Sequence, residues 1–223
     1  MSANISPSDI HSVLLTESNT IYNRLLSDIT NGVLSSGDRL ITTQLAERYN
    51  SSINPVREAL KQLEGEGFVT FQKNSGARVT HFEYATMRDV FELLQLLEPY
   101  FLQWFVDHYT DAQINRLRDI ANWMRQLDTS DFAGFRELDT AFHWQMYRNH
   151  YNKTAVQLWR QKKLVLQAMH ANLAISKRRF LDAIDEHGEM LDLIASDQAG
   201  AAIEALRQHI RCSGDYWQKV LAK

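Results

Sequence analysis

Glycine, the residue that most often marks turns, is concentrated in the first third of this chain. Five of the nine glycines lie within residues 1–80, and the rest of the 223-residue sequence contains only four. Because glycine is unfavourable inside helices and strands, the first 80 residues are predicted to contain short elements joined by turns. The remainder is predicted to be mostly helical, so the chain divides into two parts of different architecture.

The first part has the order of elements of a winged helix-turn-helix. A first helix is predicted from Ile21 until Gly32, and a short second helix with its N-cap at Thr42 and Thr43. A third helix is predicted over residues 54–65, where a proline lies in the first turn. Two β-type runs within residues 69–80 flank a Lys-Asn-Ser-Gly turn and predict a hairpin. This order of elements is typical of a winged helix-turn-helix that binds DNA.

Beyond residue 82 the apolar residues keep a helical period and give no strand signal. The predicted fold class is mainly α, with an N-terminal winged helix-turn-helix followed by an all-α bundle of six helices. The domain prediction is a flexible arm over 1–18, a DNA-binding domain over 19–81, and a helical metal, effector and dimerisation domain over 82–223. The six helical segments are predicted at 84–108, 111–128, 131–150, 153–175, 179–196 and 199–221.

The composition of the chain bears on its cellular compartment and on how it could bind nucleic acid. The net charge is −3 and there is one cysteine, Cys212, so no intrachain disulfide can form. Without a long apolar run or a signal segment, the sequence predicts a cytoplasmic protein that does not enter a membrane. Both parts of the chain are close to charge balance, so a general positive field cannot explain DNA binding.

Local charge in the winged helix nevertheless favours DNA. The start of its second motif helix enters the major groove in this fold, and the wing approaches phosphates or the minor groove. The alternative is an ordinary solvated surface on a winged helix that binds protein. The candidate DNA contacts are Ser52, Asn54, Arg57 and Lys61 on the helix, and Lys73 and Arg78 on the wing.

Three of the later helices each carry a potential metal ligand within an apolar stripe. Asp139 and His143 lie one turn apart among phenylalanines, His187 lies in the stripe of the fifth helix, and His209 in that of the sixth. A buried carboxylate without a partner is costly. Two interpretations remain open: a metal site for Zn²⁺, Ni²⁺, Mn²⁺ or Co²⁺, or a buried Asp–His hydrogen bond beside two satisfied core histidines.

Four runs in the first part, at 32–40 (GVLSSGDRL), 45–47 (LAE), 55–60 (PVREAL) and 67–69 (GFV), closely resemble the GntR family of bacterial transcription regulators. The resemblance implies a homodimer that binds pseudo-palindromic operator DNA. It adds Thr42, Thr43 and Gly76 to the expected DNA contacts. The family usually has arginine where Ile53 stands and often where Thr43 stands, so two customary contacts are missing.

The helical part resembles the ligand-sensing domain of the FadR branch of this family, in its six-helix VanR-like form. The matching residues are Asp139, Phe142-His143, Asn152, Glu186-His187 and His209. The resemblance implies one divalent ion per chain, with Zn²⁺ the first choice and Ni²⁺, Mn²⁺ or Co²⁺ as alternatives, held by Asp139, His143, His187 and His209. It also implies a small-molecule effector, often a carboxylate, in a cavity that the ion faces.

The arginine with which family members contact the effector carboxylate is replaced here by Leu94. Leucine cannot form a bidentate contact. Arg178 and Arg179 are the candidate substitutes, and the other possibility is a less anionic effector. His170 is a further candidate contact, with a core role as the alternative.

The sequence therefore predicts a transcription regulator that is not an enzyme, whose operator affinity is changed by an effector bound near a metal ion. One alternative is a metal-dependent hydrolase that uses the Asp/His₃ site, since Zn²⁺ can activate water. It is disfavoured because the sequence has no His-Glu-x-x-His motif. The other alternative is a constitutive repressor with a purely structural metal.

Overall fold

The structure is a computed structural model that describes residue 14 and residues 20–72 and 76–221. It contains two compact units. One comprises Leu14–Glu83 together with Gln161–Leu173, and the other comprises Tyr84–Arg160 together with the chain from Ala174 onward. The predicted N-terminal arm lies outside the described residues except for Leu14, which is buried.

The first unit is a winged helix-turn-helix, which confirms the fold class predicted for this part. Its three strands form an antiparallel sheet in the order β1-β3-β2, with Val69 opposite Val79 and Leu40 opposite Ala77. Leu25, Val56 and Leu63 are fully buried at its centre. The elements are α1 (Ile21–Thr30), β1 (Arg39–Leu40), α2 (Thr42–Arg48), α3 (Ile53–Gly65), β2 (Val69–Gln72) and β3 (Gly76–Val79).

Two local features differ from the sequence prediction. The two-residue strand β1 was not predicted, because a pair of residues shows no periodicity of its own. The predicted N-cap at Thr42 and Thr43 is wrong, because both residues lie inside the first turn of α2. Ile41 occupies the N-cap position without a side-chain hydrogen bond.

The second unit is an all-α bundle of six helices, as predicted. Helix α4 packs against α9 and α6, α5 packs against α6 and α8, and α8 packs against α9. Within the described residues, no helix is both long and apolar enough to cross a lipid bilayer. The helices are α4 (Tyr84–Val106), α5 (Asp111–Gln126), α6 (Phe132–Tyr147), α7 (Lys153–His170), α8 (Lys177–Ala195) and α9 (Ala199–Leu221).

Side-chain caps fix where several of these helices begin. Thr110 and Gln113 form a reciprocal capping box at the start of α5. Asp131 accepts the backbone N–H of Gly134 in α6, and Ser176 accepts that of Arg179 in α8. These caps define the first turns of α6 and α8, the helices that carry Asp139, His143 and His187.

Helix α7 contributes to both units. Its residues up to Arg160 belong to the helical bundle, whereas the chain from Gln161 to Leu173 belongs to the winged-helix unit. There Gln161 donates a 3.2 Å hydrogen bond to the backbone carbonyl of Glu66, and Asn172 donates one of 3.1 Å to the Ser35 hydroxyl. The predicted boundary at residue 81 does not anticipate this second segment of the winged-helix unit.

Candidate metal centre and DNA-binding face

Three helices of the bundle bring together the four residues predicted to bind a metal. Asp139 and His143 come from α6, His187 from α8 and His209 from α9, and one ligand atom of each lies within 4.8 Å of the others. The three histidines are buried, while the Asp139 side chain is 17% exposed. The structure therefore assembles the predicted set at one point.

Each of the three imidazoles is held from outside the cluster through its Nδ1 atom. His143 Nδ1 lies 3.3 Å from a carboxylate oxygen of Glu98 and 3.2 Å from the Tyr147 hydroxyl. His187 Nδ1 lies 2.6 Å from the backbone carbonyl of Ala183. His209 Nδ1 lies 2.7 Å from the Glu186 carboxylate. These acceptors favour the tautomer with the proton on Nδ1, so the Nε2 lone pairs remain for a ligand.

The Nε2 atoms lie close to Asp139. Its Oδ1 atom is 3.4 Å from His187 Nε2 and 3.8 Å from His143 Nε2. His187 Nε2 is buried and makes no hydrogen bond within the described part of the chain. A buried nitrogen in this state is costly unless something satisfies it. Three imidazole nitrogens with one carboxylate are a donor set that suits a divalent transition metal, so the residues present fit such an ion.

Glu98 is a buried carboxylate that the sequence analysis did not assign to the site. It is 2% exposed and accepts hydrogen bonds from the Tyr147 hydroxyl at 3.1 Å and from the Trp159 indole at 2.8 Å. Burial, followed by the nearby charge of Glu98, raises the pKa of Tyr147, which therefore stays a hydrogen-bond donor. The signal was present in the sequence, since Glu98 interrupts an apolar stripe just as Asp139 does.

Glu186 lies on the other side of the cluster and contacts His209, a role that the sequence pattern did not predict. It accepts from His209 Nδ1 and from the two terminal nitrogens of Arg179, at 2.7 and 2.8 Å. Burial alone would raise the pKa of Glu186, but the hydrogen bonds from His209 and Arg179 lower it to about 2. Burial lowers the pKa of His209 itself, which keeps the ring neutral. Both shifts favour an ionised acceptor beside a neutral imidazole.

The candidate effector contacts differ in burial and in the partners of their side chains. Leu94 is buried on α4, one turn before Glu98. Arg179 is engaged by Glu186, and Arg178 is 92% exposed, with Asp182 3.8 Å away. His170 belongs to the winged-helix unit, whereas the Asp/His cluster belongs to the helical bundle. Leu94, Arg178 and Arg179 lie in the helical unit, and contact of any of the four residues with an effector stays a prediction.

The start of α3 presents the predicted DNA contacts to solvent. Ser52, Asn54 and Arg57 are exposed, and Lys61 lies one turn further on, 3.3 Å from Glu58. On α2, Thr43 is exposed and Thr42 is partly exposed. These positions allow all six side chains to approach DNA, and their roles remain predictions.

The wing is described only in part. Gly76 opens β3 with φ of +77°, a left-handed conformation that favours glycine. Arg78 donates a 2.8 Å hydrogen bond to the Gly37 carbonyl, so its guanidinium supports the turn before β1. The predicted contact Lys73 lies outside the described residues. Arg39, which pairs with Arg78 across the sheet and is exposed, is a further basic residue that the sequence analysis did not name.

Comparison with known proteins defines the class to which this fold and site belong. Residues 17–79 match the bacterial regulatory proteins of the gntR family, and residues 89–211 match the FCD domain. The Uxu operon regulator of Haemophilus influenzae is 30% identical over 83% of this chain and 76% of its own length. The gluconate operon transcriptional repressor of Bacillus subtilis is 24% identical over 81% of this chain and 76% of its own.

Among solved structures, Escherichia coli McbR/YncC shares the fold, with a TM-score of 0.79 over 90% of this chain and 96% of that one, at 19% identity. The fold and these relatives define a DNA-binding transcription regulator with a ligand-binding domain, not an enzyme. The chain belongs to the GntR family and carries an FCD domain at its C-terminal side. The predicted family and the absence of enzymatic function are therefore confirmed.

Proposed function

We propose that this chain is a homodimeric, metal-containing repressor or activator whose affinity for a pseudo-palindromic operator changes when a small molecule binds beside the metal ion. The observation that carries the metal assignment is the shared geometry of the three histidines. Each Nδ1 is held by an outer acceptor, and this arrangement leaves three Nε2 atoms and the Asp139 carboxylate for one ion.

We favour Zn²⁺, with Ni²⁺, Mn²⁺ and Co²⁺ as alternatives that the same donors accept. A bound divalent ion would supply a Lewis-acidic centre for an oxygen ligand. The protein's own contribution is to hold the imidazoles neutral and oriented, with Glu98 and Glu186 as fixed acceptors. The ion is thus assigned to Asp139, His143, His187 and His209.

The effector is proposed to be a small oxygen ligand such as a hydroxycarboxylate. Leu94 offers no charge, and Arg179 is the only buried Lys or Arg among the described residues and is already paired with Glu186. Affinity for an anion would therefore depend on the ion rather than on an arginine. One relative is named for the gluconate operon, and gluconate carries both a carboxylate and hydroxyl groups, which makes it a suitable first probe.

The homodimer follows from the way in which winged helices read DNA. Two recognition helices on neighbouring half-sites require two-fold symmetry. The helical unit exposes apolar side chains that could support self-association, among them Leu96, which is 72% exposed, and Tyr151, which is 64% exposed. Sedimentation of the full chain at micromolar concentration is expected to give a dimer, and a strict monomer would contradict this part of the proposal.

The proposal as a whole is tested by selecting duplexes from a random library with zinc-loaded protein, then titrating the selected duplex with gluconate and related aldonates. We expect a two-fold symmetric sequence to be enriched, and its affinity to change with the effector. The His187→Ala variant is expected to bind the duplex without responding to the effector. Failure to enrich any sequence would contradict the regulator, whereas an unresponsive wild type across the panel favours a constitutive repressor.

A further inference from the structure

Among the described residues Arg179 is the only buried Lys or Arg, and its guanidinium is paired with Glu186, which contacts the proposed ligand His209. It is 8% exposed and lies two turns before Glu186 on the same helix, α8. Its terminal nitrogens donate to both Glu186 oxygens, at 2.7 and 2.8 Å, and one of them also donates to the Ser213 hydroxyl of α9 at 2.8 Å. The terminal nitrogens of the Arg179 guanidinium are therefore hydrogen-bonded to acceptors of the protein itself, Glu186 and Ser213.

Glu186, held in this way, in turn restrains the proposed metal ligand His209. The oxygen that lies 2.7 Å from His209 Nδ1 also accepts from Arg179. A carboxylate held by two parallel N–H donors has little rotational freedom, so the direction in which it accepts from the imidazole is fixed. The orientation of His209 and the position of its proton thus depend on the contact between Arg179 and Glu186. Neither of these two residues is itself a proposed ligand of the ion.

We propose that Arg179 is a positioning residue of the metal centre, which acts through Glu186 to fix the orientation of His209 as an Nε2 ligand. The proposal rests on the proposed metal site. The chemistry requires arginine, because Arg179 and Glu186 are separated by about 10.5 Å along the helix axis and must both extend to meet. A lysine could reach only one oxygen and would leave the carboxylate free to rotate.

A purely structural ion pair is the competing explanation, since Arg179 also links α8 to Ser213 on α9. The two explanations predict different measurements. A structural pair contributes to the stability of the metal-free protein and leaves the intrinsic zinc affinity unchanged. A positioning residue changes the zinc affinity and the geometry at the ion, which depend on how His209 is held.

The test is a zinc titration of full-length apo protein in competition with a chromophoric chelator. Arg179→Gln and Glu186→Gln are each expected to weaken zinc binding roughly 10- to 100-fold, as the loss of outer-shell partners does at other metal sites. The double variant is expected to be no weaker than either single one, because both remove the same restraint. Lys177→Gln is the matched control: this cation lies two residues earlier on α8 but is exposed, and the zinc affinity of the variant should equal that of the wild type.

A second readout is the visible spectrum of the Co²⁺-loaded protein, which reports the ligand geometry. We expect Arg179→Gln to change the band intensities, Arg179→Lys to restore them in part, and Lys177→Gln to leave them unchanged. Wild-type zinc affinity in Arg179→Gln and Glu186→Gln, with only a lower melting temperature of the apo protein, would overturn the positioning role.

Two further outcomes are distinguishable. If the wild type itself binds neither Zn²⁺ nor Co²⁺, the proposed metal site fails and this inference fails with it. If Arg179→Gln does not fold, Arg179→Lys and Glu186→Gln decide the question. Zinc affinity equal to the wild type in both variants would overturn the inference, and weakened affinity in both would support it.

Discussion

The indole N–H of Trp159 donates a 2.8 Å hydrogen bond to the Glu98 carboxylate, and both side chains are buried. This contact joins α7 to α4, and the other carboxylate oxygen lies 3.3 Å from His143 on α6. A buried carboxylate is tolerated only where its lone pairs are satisfied. The Trp159 indole is therefore part of the support of the proposed metal ligand His143 as well as part of the core.

Replacing Trp159 with phenylalanine should destabilise the protein beyond the loss of apolar area. Glu98 would lose a donor in a buried position, which costs about 1–3 kcal/mol. The free energy of unfolding measured in urea checks this. Trp144→Phe is the control, because Trp144 stacks on Trp159 at a ring distance of 6.0 Å and is less buried. Equal losses in the two variants would argue against a special role for the indole N–H.

Metal analysis of protein prepared without chelator and supplied with Zn²⁺ should find about one divalent ion per chain. EDTA should lower the melting temperature, because coordination satisfies His187 Nε2 and its neighbours together. His209→Ala should reduce both the metal content and the shift caused by EDTA. A protein that holds no ion and melts identically with EDTA would leave the cluster as a hydrogen-bond network only.

Arg57→Ala should weaken binding to the selected operator by about 1–3 kcal/mol and relax base preference, as the loss of a base-edge contact does. Its exposed position near the start of α3 is the physical reason. Lys73→Ala should instead weaken binding to all sequences and reduce the salt dependence, which is the behaviour of a phosphate contact. Fluorescence anisotropy at several salt concentrations measures both effects. Unchanged specific binding by Arg57→Ala would remove α3 from its assigned role.

Gly32→Ala should destabilise the winged-helix unit more than Gly37→Ala does. Both glycines have positive φ, +74° and +83°, so each substitution carries a backbone cost of about 1–2 kcal/mol. A Cβ at residue 32 would also lie 2.6 Å from the Asn172 side chain, whereas nothing lies within 4 Å at residue 37. Urea unfolding of the two variants isolates this difference. Equal losses would contradict the close approach of residues 161–173 to Gly32.

His150 should make the protein less stable in mild acid. Burial, and to a smaller degree the charge of Lys153, lower the pKa of His150 below its ordinary value of 6.5, and its Nδ1 accepts the backbone N–H of Asn152. As pH falls below about 6.5 the unfolded chain takes up this proton before the folded one does, so stability declines. His150→Asn keeps an acceptor but cannot titrate. Urea unfolding between about pH 7 and pH 5 should show a shallower decline in the variant, and an unchanged slope would count against this assignment.

Much of the fold could be predicted because its signals are local. Glycine spacing marked the turns of the winged helix, and the helical period marked all six bundle helices. The four candidate metal ligands could be selected because each interrupts an apolar stripe, and the structure places them together. The contact of Glu186 with His209 could not be predicted, because the two residues lie on different helices, α8 and α9. Helical phase describes one helix and contains no information about a neighbour.

The division of α7 between two compact units bears on how regulators of this kind can be recombined. A chimaera that joins residues 1–81 to a foreign sensor would lose residues 161–173, and with them the hydrogen bonds to Glu66 and Ser35. Exchange of sensors is therefore expected to succeed only when the donor supplies a matching helix. In this chain the winged-helix unit is not one continuous segment, because residues 161–173 belong to it and lie within the sequence of the helical part. The two units are therefore expected to be inherited together.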